Sequence, residues 1–214
     1  MLFYKNMNLV FCSKLNKKID KIITSFSNNE NFSIGYIPSA TNPDNKHFKQ
    51  IEQHYAKKYG INNILCLDID KKYDKRNFYK NLKKCCILIL SGGNTEFFLK
   101  KIKERKLKEA IIKFVKNKNN LLIGISAGGI IMTNNINTSN ILNKESVKNK
   151  KGLGLVNFEF FPHYKNLYKK PIQKYSSKIT RKIFICSENE ILFINKKNEN
   201  MNNYYYRGKF YEKK

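Results

Sequence analysis

The sequence predicts an α/β protein, a three-layer sandwich in which a mostly parallel β-sheet is covered by helices on both faces. Two observations favour this fold class. Strand-like apolar runs alternate with segments whose apolar residues recur at helical spacing. The strand-like runs, such as residues 85–90 and 121–125, are continuously apolar, which is typical of parallel strands buried on both faces.

The individual elements follow from these periodicities. Apolar runs predict strands at residues 1–12, 34–38, 64–67, 85–90, 121–125, 158–161, 183–186 and 191–194. Helical spacing of apolar residues, or polar helical composition, predicts helices at residues 14–27, 44–60, 74–84, 96–102 and 107–115, with a further partly helical region at 165–182. Residues 133–151 are rich in Asn, Ser and Lys and indicate a mobile loop. Residues 204–211 indicate a closing C-terminal β-hairpin, and 1–214 is expected to form a single domain.

Charge and cysteine content limit the possible classes of partner and compartment. The 214-residue chain has a formal net charge of +26, which could mean nucleic-acid binding. The lysines are dispersed, however, and the heavy use of Lys, Asn and Ile is typical of A/T-rich coding sequence, so nucleic acid is not the partner we expect.

The five cysteines form no C-x-x-C pair, and no 18-residue apolar run or signal peptide is evident. We therefore expect a cytoplasmic protein without a membrane span.

A Gly-Ile-Ser-Ala-Gly motif at residues 124–128 is the most informative feature of the chain. An apolar run ends at Gly124, and an apolar pattern resumes at Ile130, so the motif reads as strand, sharp turn and helix. This arrangement is typical of a nucleophile elbow, with Ser126 at its apex. The alternative is an ordinary strand-to-helix turn with an inert serine.

A serine nucleophile needs a base, and the chain has three histidines. His163 follows an apolar strand, which places it at the strand's carboxyl end, the edge where ligands bind in open α/β sheets. His47 and His54 lie on one predicted helix, where we expect packing roles. Candidate carboxylates to orient His163 are Glu188, Glu190 and, more weakly, Glu159.

An oxyanion also needs hydrogen-bond donors. The N–H of Ala127 directly follows the serine, and the Ser-Gly-Gly-Asn-Thr loop at residues 91–95 supplies Gly92 and Gly93 at another strand end. A phosphate-binding role for this loop is the rival interpretation, but no G-K-[ST] follows it.

Taken together, residues 91–95, 124–128 and 152–155, the last leading to Phe-Pro-His-Tyr at 161–164, resemble the peptidase E (aspartyl dipeptidase) and cyanophycinase family of serine peptidases. The resemblance extends over most of the chain in the same order, and it is strongest to short bacterial peptidase E-like members. It implies a class I glutamine-amidotransferase-like fold and a hydrolase without a metal ion or cofactor.

The resemblance also implies roles for individual residues. Ser126 corresponds to the nucleophile and His163 to the base, with an oxyanion hole formed by Gly92, Gly93 and Ala127. In the cyanophycinase branch a glutamate before a short strand completes the triad, and Glu188 matches that position best, with Glu190 in reserve.

This chain departs from peptidase E at two places. Where that branch has an aspartate after its serine, this chain has Ile141. The Gly-Glu-Thr-Arg stretch that holds a substrate aspartate is absent. Lys178 or Arg181 (or Lys174) is a possible replacement for the arginine's charge, and Asn94 is a further candidate substrate contact.

The expected function is serine-type hydrolysis of small peptides, possibly dipeptides. Two alternatives remain open, a catalytically degenerate binding protein of the same fold and a basic nucleic-acid-binding protein. The sequence leaves undetermined the substrate side chain, exo- or endopeptidase action, and whether the protein is a monomer or a homodimer.

Overall fold

The structure is a computed structural model that describes residues 7–26, 32–40, 46–143, 150–195, 204–206 and 209–211. Within these ranges, none of the helices has the length and apolar character needed to cross a bilayer.

Strands and helices alternate along most of the chain. The strands are β1 (Asn8–Cys12), β2 (Ile34–Ile37), β3 (Ile64–Cys66), β4 (Ile87–Leu90), β5 (Leu121–Ile125), β6 (Glu159–Phe161), β7 (Ile183–Ile185), β8 (Ile191–Asn195), β9 (Tyr204–Tyr206) and β10 (Lys209–Tyr211). The helices are α1 (Lys17–Phe26), α2 (Lys46–Tyr59), α3 (Lys75–Leu82), α4 (Thr95–Glu104), α5 (Lys108–Lys116), α6 (Ala127–Met132), α7 (Ser139–Asn143) and α8 (Lys169–Ser176). Asp44, expected within the second helix, lies outside the described residues.

Two sheets organise these strands. The large sheet has the order β3-β2-β4-β5-β1-β8-β9, and its strands from β3 to β1 are mutually parallel, whereas β8 runs antiparallel to β1. The small sheet has the order β10-β7-β6, with β6 and β7 parallel. The predicted α/β class with a mostly parallel sheet is confirmed.

Successive side chains of β1 point to opposite faces of the sheet, and both faces are buried, which explains why the strand runs are continuously apolar. Leu9 and Phe11 join one hydrophobic cluster, while Val10 and Cys12 join another, and all four residues are fully buried. Helices α1 and α2 cover the second cluster, and helices α3 to α6 cover the first. Each strand face therefore packs under helices, as the predicted three-layer sandwich requires.

The C-terminal strands pair differently from the hairpin that the sequence predicts at residues 204–211. The C-terminal hairpin consists of β8 and the antiparallel β9. Residues 204–206 and 209–211 do not pair with each other as expected, because β10 joins the small sheet beside β7. Each of these strands therefore pairs with a strand of a different sheet.

The segment after α6 is more ordered than its composition indicated. The expected loop contains α7, and Asn135 forms an isolated β-bridge with Lys151. Thr138 and Ser139 are buried, and their hydroxyls donate to the carbonyls of Phe160 and Ile136, both at 2.7 Å. Main-chain carbonyls thus satisfy these buried hydroxyls. The prediction of a loop is wrong for residues 139–143, which form α7. Residues 144–149 lie outside the described residues.

Candidate active site

Ser126 occupies the turn between β5 and α6 and carries the backbone strain of the elbow. Its φ of 49° and ψ of −110° are unusual for a residue with a side chain. Such a conformation costs on the order of 1–3 kcal/mol and persists only where the surroundings enforce it. Here the Ser126 N–H donates to the Cys12 carbonyl at 2.8 Å, and the Ser126 carbonyl accepts from Ile130 N–H at 3.0 Å.

The two glycines of the motif serve close packing. Neither Gly124 nor Gly128 has a positive φ. A Cβ on Gly124 would overlap Met132 and the backbone of α6, and a Cβ on Gly128 would overlap the Leu90 carbonyl. The two glycines let α6 approach β4 and β5, which holds the strained serine in place.

His163 lies directly against Ser126. It follows β6, and its Nε2 is 2.9 Å from Ser126 Oγ. His163 also has a positive φ, at 55°, and its N–H donates to Ser13 Oγ at 2.9 Å. Two residues 37 positions apart in the sequence thus meet at the carboxyl ends of strands from different sheets.

Glu188 lies on the other side of the imidazole, in the connection between β7 and β8. Its Oε1 is 2.6 Å from His163 Nδ1, and its Oε2 is 3.3 Å from Lys14 Nζ. The hydrogen bond from His163, and then Lys14, lower the pKa of the Glu188 carboxyl below its ordinary value. With the imidazole proton on Nδ1 and donated to Glu188, the Nε2 lone pair faces the Ser126 hydroxyl.

The other two candidate carboxylates make contacts elsewhere. Glu190 Oε2 accepts from Ser187 N–H at 2.7 Å, which closes the turn that carries Glu188. Glu159 is fully buried, and its carboxylate accepts from Asn135 Nδ2 and Tyr175 O–H, both at 2.7 Å. Of the three glutamates, only Glu188 contacts His163 within the described residues.

The three predicted oxyanion-hole residues lie around the serine. A Cβ built on Gly92 would be 3.5 Å from the Cβ of Ser126, so the glycine loop passes directly beside the nucleophile. Gly93 has a φ of 133°, a conformation that favours glycine. Ala127 is the first residue of α6, where an N–H has no partner inside the helix. The arrangement fits an oxyanion hole, and that role stays a prediction.

Ser91 fixes the glycine loop to its neighbours. Its carbonyl accepts from Gly128 N–H at 3.0 Å, and its N–H donates to the Ile37 carbonyl at 3.0 Å. Its buried hydroxyl accepts from Ser39 N–H at 2.6 Å and donates to the Gly92 carbonyl at 2.9 Å. The loop is therefore attached both to α6 and to the end of β2.

The predicted substrate contacts are less defined. The Asn94 Oδ1 caps α4 by accepting from Phe97 N–H at 2.8 Å. Lys178 and Arg181 are exposed between α8 and β7, and neither pairs with the triad residues in the described structure. Their roles in substrate binding stay predictions. The described residues contain no group of three or more His, Cys, Asp or Glu side chains arranged to hold a metal ion.

Sequence reasoning missed Ser13 and Lys14, which contact His163 and Glu188. Both directly follow β1, at the same edge of the sheet as Ser126. The edge rule that selected His163 would have selected them as well, had it been applied to the end of the first strand.

A serine hydroxyl hydrogen-bonded to a histidine is the arrangement that serine hydrolases use, and comparison with known proteins gives the family. Residues 10–201 match the model of peptidase family S51. The chain therefore belongs to this family and is a serine-type peptidase. This confirms the resemblance to peptidase E that the motifs indicated.

Two curated relatives, both described as peptidases, agree with this family assignment. The chain is 26% identical over 184 residues to the uncharacterized peptidase Lin0382 of Listeria innocua, covering 83% of this chain and 87% of that protein. It is 33% identical over 122 residues to the uncharacterized peptidase Lmo0363 of Listeria monocytogenes, covering 53% and 58%.

Two solved structures share the fold. One is a peptidase E candidate from Listeria monocytogenes EGD-e, with a TM-score of 0.68 and 23% identity over 97% of this chain and 99% of that chain. The other is a peptidase from an acI-B1 actinobacterium, with a TM-score of 0.68 and 19% identity over 90% and 85%.

Proposed function

We propose that the chain hydrolyses peptide bonds in small peptides, dipeptides among them, with Ser126, His163 and Glu188 as its catalytic triad. The observation that carries the proposal is the continuous hydrogen-bond chain at the elbow. Ser126 Oγ lies 2.9 Å from one imidazole nitrogen, and Glu188 Oε1 lies 2.6 Å from the other. A serine peptidase needs its nucleophile, base and orienting carboxylate in this order.

The mechanism follows from these positions. Ser126 Oγ attacks the scissile carbonyl carbon while His163 Nε2 takes the hydroxyl proton, and the imidazolium then returns that proton to the leaving amine. Water hydrolyses the resulting acyl-enzyme with His163 as base. Glu188 orients the imidazole and stabilises its charged form throughout.

The oxyanion that forms in this reaction would be held by backbone donors. We assign this role to the N–H of Ala127 and that of Gly93 or Gly92, because all three lie on segments beside Ser126. A small recess of about 40 Å³ borders Gly92 and is walled by Tyr36, Pro38 and Phe48. Because this recess borders the glycine loop, it is our candidate position for a substrate side chain.

Substrate charge and cellular location complete the proposal. Lys178, Arg181 and Asn94 remain our candidates for binding polar or acidic groups of the substrate. All five cysteines are free thiols, as in a reducing compartment, and we propose a cytoplasmic protein whose residues 1–214 form a single catalytic domain. The degenerate-site alternative predicts a dispersed triad, and the two short distances favour catalysis over it.

A dipeptide library tests the proposed activity. Dipeptides with N-terminal Asp, Glu or a neutral residue are given to wild type, to Ser126→Ala and to Ser139→Ala. The last variant is a matched control, because it removes another buried serine hydroxyl, which donates to the Ile136 carbonyl. We expect turnover of at least one class by wild type and Ser139→Ala. Ser126→Ala should lose on the order of 10³-fold or more, because the hydroxyl forms the covalent bond. Equal turnover by Ser126→Ala would refute the mechanism.

A further inference from the structure

We propose that Ser13, with its neighbours Cys12 and Lys14, is a positioning residue that aligns the serine of the large sheet with the histidine and glutamate of the small sheet. We call these three residues the β1 clasp. The inference rests on the proposed triad and concerns how its three separate segments are held in register.

The triad is divided between two sheets. Ser126 follows β5 of the large sheet, whereas His163 follows β6 and Glu188 follows β7, both in the small sheet. The Ser126–His163 distance therefore depends on how the two sheets are placed relative to each other. Ring contacts from Phe11 of β1 to Phe158 and Phe160, with centroids 5.2 and 5.4 Å apart, join them near this point. Such apolar contacts favour burial but give little directional control.

Ser13 supplies directional contacts across this junction. Its side chain is almost completely buried, and its hydroxyl accepts from His163 N–H and donates to the Cys186 carbonyl, both at 2.9 Å. The same Cys186 carbonyl accepts from Tyr164 N–H at 3.0 Å. One hydroxyl thus links the end of β1 to the segment that bears His163 and to the segment that leads to Glu188.

The bond to His163 has a specific task. His163 has a φ of 55°, which is costly for a residue with a side chain and needs an external restraint. Ser13 Oγ holds the N–H of that strained residue. Without the hydroxyl, the histidine backbone could relax and carry the imidazole away from Ser126.

The other two clasp residues contact the remaining triad members. The Cys12 carbonyl accepts the Ser126 N–H at 2.8 Å, which continues the parallel β1–β5 ladder into the elbow. Lys14 Nζ lies 3.3 Å from Glu188 Oε2, the oxygen that His163 does not use. Since both side chains are partly exposed, we expect the Lys14 contact to be the weaker one. Three consecutive residues therefore touch all three triad residues.

The test measures inactivation by a serine-directed phosphonate together with steady-state turnover. Ser13→Ala should slow inactivation and lower kcat by about 10- to 100-fold, the effect expected of a misplaced base, with little change in KM. Ser13→Thr keeps the hydroxyl and should recover most of the rate. Ser139→Ala removes another buried serine hydroxyl, bonded to the Ile136 carbonyl at 2.7 Å, and should leave the rate unchanged.

Amide hydrogen exchange of His163 supplies a readout independent of activity. The wild-type amide should be protected, and Ser13→Ala should abolish that protection. Unchanged inactivation in folded Ser13→Ala would overturn the clasp. An unprotected His163 amide in the wild-type protein would also overturn it, and this outcome holds even if Ser13→Ala proves unable to fold. If wild type is not labelled at all, the proposed function fails. The clasp is then supported by protection that Ser13→Ala removes and overturned by equal exchange in the two proteins.

Discussion

Two histidine–carboxylate pairs exist in the described structure of this molecule, and we propose a catalytic role for only one of them. His54 Nε2 lies 3.3 and 3.2 Å from the two carboxylate oxygens of Asp20, on helices α2 and α1. His163 Nδ1 lies 2.6 Å from Glu188, at the carboxyl ends of strands. A close contact between imidazole and carboxylate is therefore not by itself a sign of an active site.

The partners around each pair make the difference. Asp20 is buried, and it also accepts hydrogen bonds from Tyr55 O–H at 3.0 Å and Tyr59 O–H at 2.9 Å. This network ties α1 to α2. In the other pair, the second nitrogen of the His163 imidazole, Nε2, lies 2.9 Å from Ser126 Oγ. What distinguishes the proposed catalytic pair is a serine hydroxyl at the second nitrogen of the imidazole ring.

The largest expected contrast concerns the glutamates near His163. Glu188→Gln should lower kcat by about 10³- to 10⁴-fold, because the carboxylate no longer fixes the tautomer or stabilises the imidazolium. Glu190→Gln keeps an oxygen for the Ser187 N–H and should have a far smaller effect. Steady-state kinetics on the best dipeptide measures both variants. A larger loss of kcat in Glu190→Gln than in Glu188→Gln would show that Glu188 is not the triad carboxylate.

Substitution of Asp20 should lower the stability of the fold and leave kcat unchanged. Asp20→Asn replaces one acceptor oxygen with an NH₂ group facing a tyrosine hydroxyl, and we expect a loss of about 1–3 kcal/mol in the free energy of unfolding. Urea denaturation measures this loss, and kcat of the folded variant should equal that of wild type. A large drop in kcat at conditions where Asp20→Asn is fully folded would show that both pairs serve catalysis.

The smallest effect is the pH dependence of the Glu188 contribution to stability. The pKa of Glu188 is lowered from its ordinary value of 4.5, first by His163 and then by Lys14. A carboxyl with a lowered pKa in the folded state contributes stability above pH 4.5, and this contribution is lost as pH falls through the folded pKa. The difference in unfolding free energy between wild type and Glu188→Gln should therefore shrink in acid. A difference that grew below pH 4.5 would contradict the assigned shift.

The sequence predicted the parts of the site that local patterns encode. Ser126 was recognisable from a motif between a strand and a helix, and His163 from its place after an apolar strand. Glu188 was selected by family resemblance, since a turn carboxylate has no local pattern of its own. Its contact with His163 depends on the placement of two sheets, which no window of sequence contains.

The features that escaped prediction depend on contacts between distant segments. Ser13 lies 150 residues from His163 in the sequence, and the bond between them exists only in the folded chain. The motif contains Gly124 and Gly128, but their packing role is evident only from the positions of α6 and β4 in the folded chain. The order in residues 135–143 likewise comes from hydrogen bonds to residues far along the chain, such as Phe160.

The proposed mechanism depends most directly on Ser126 being the activated nucleophile. Peptide mapping by mass spectrometry after treatment with a serine-directed phosphonate tests this, with Ser126→Ala treated in parallel. We predict a single adduct on Ser126 in the wild-type protein and none in Ser126→Ala. An adduct on another serine that persists in Ser126→Ala, or a folded wild-type protein that takes up no label, would contradict the account.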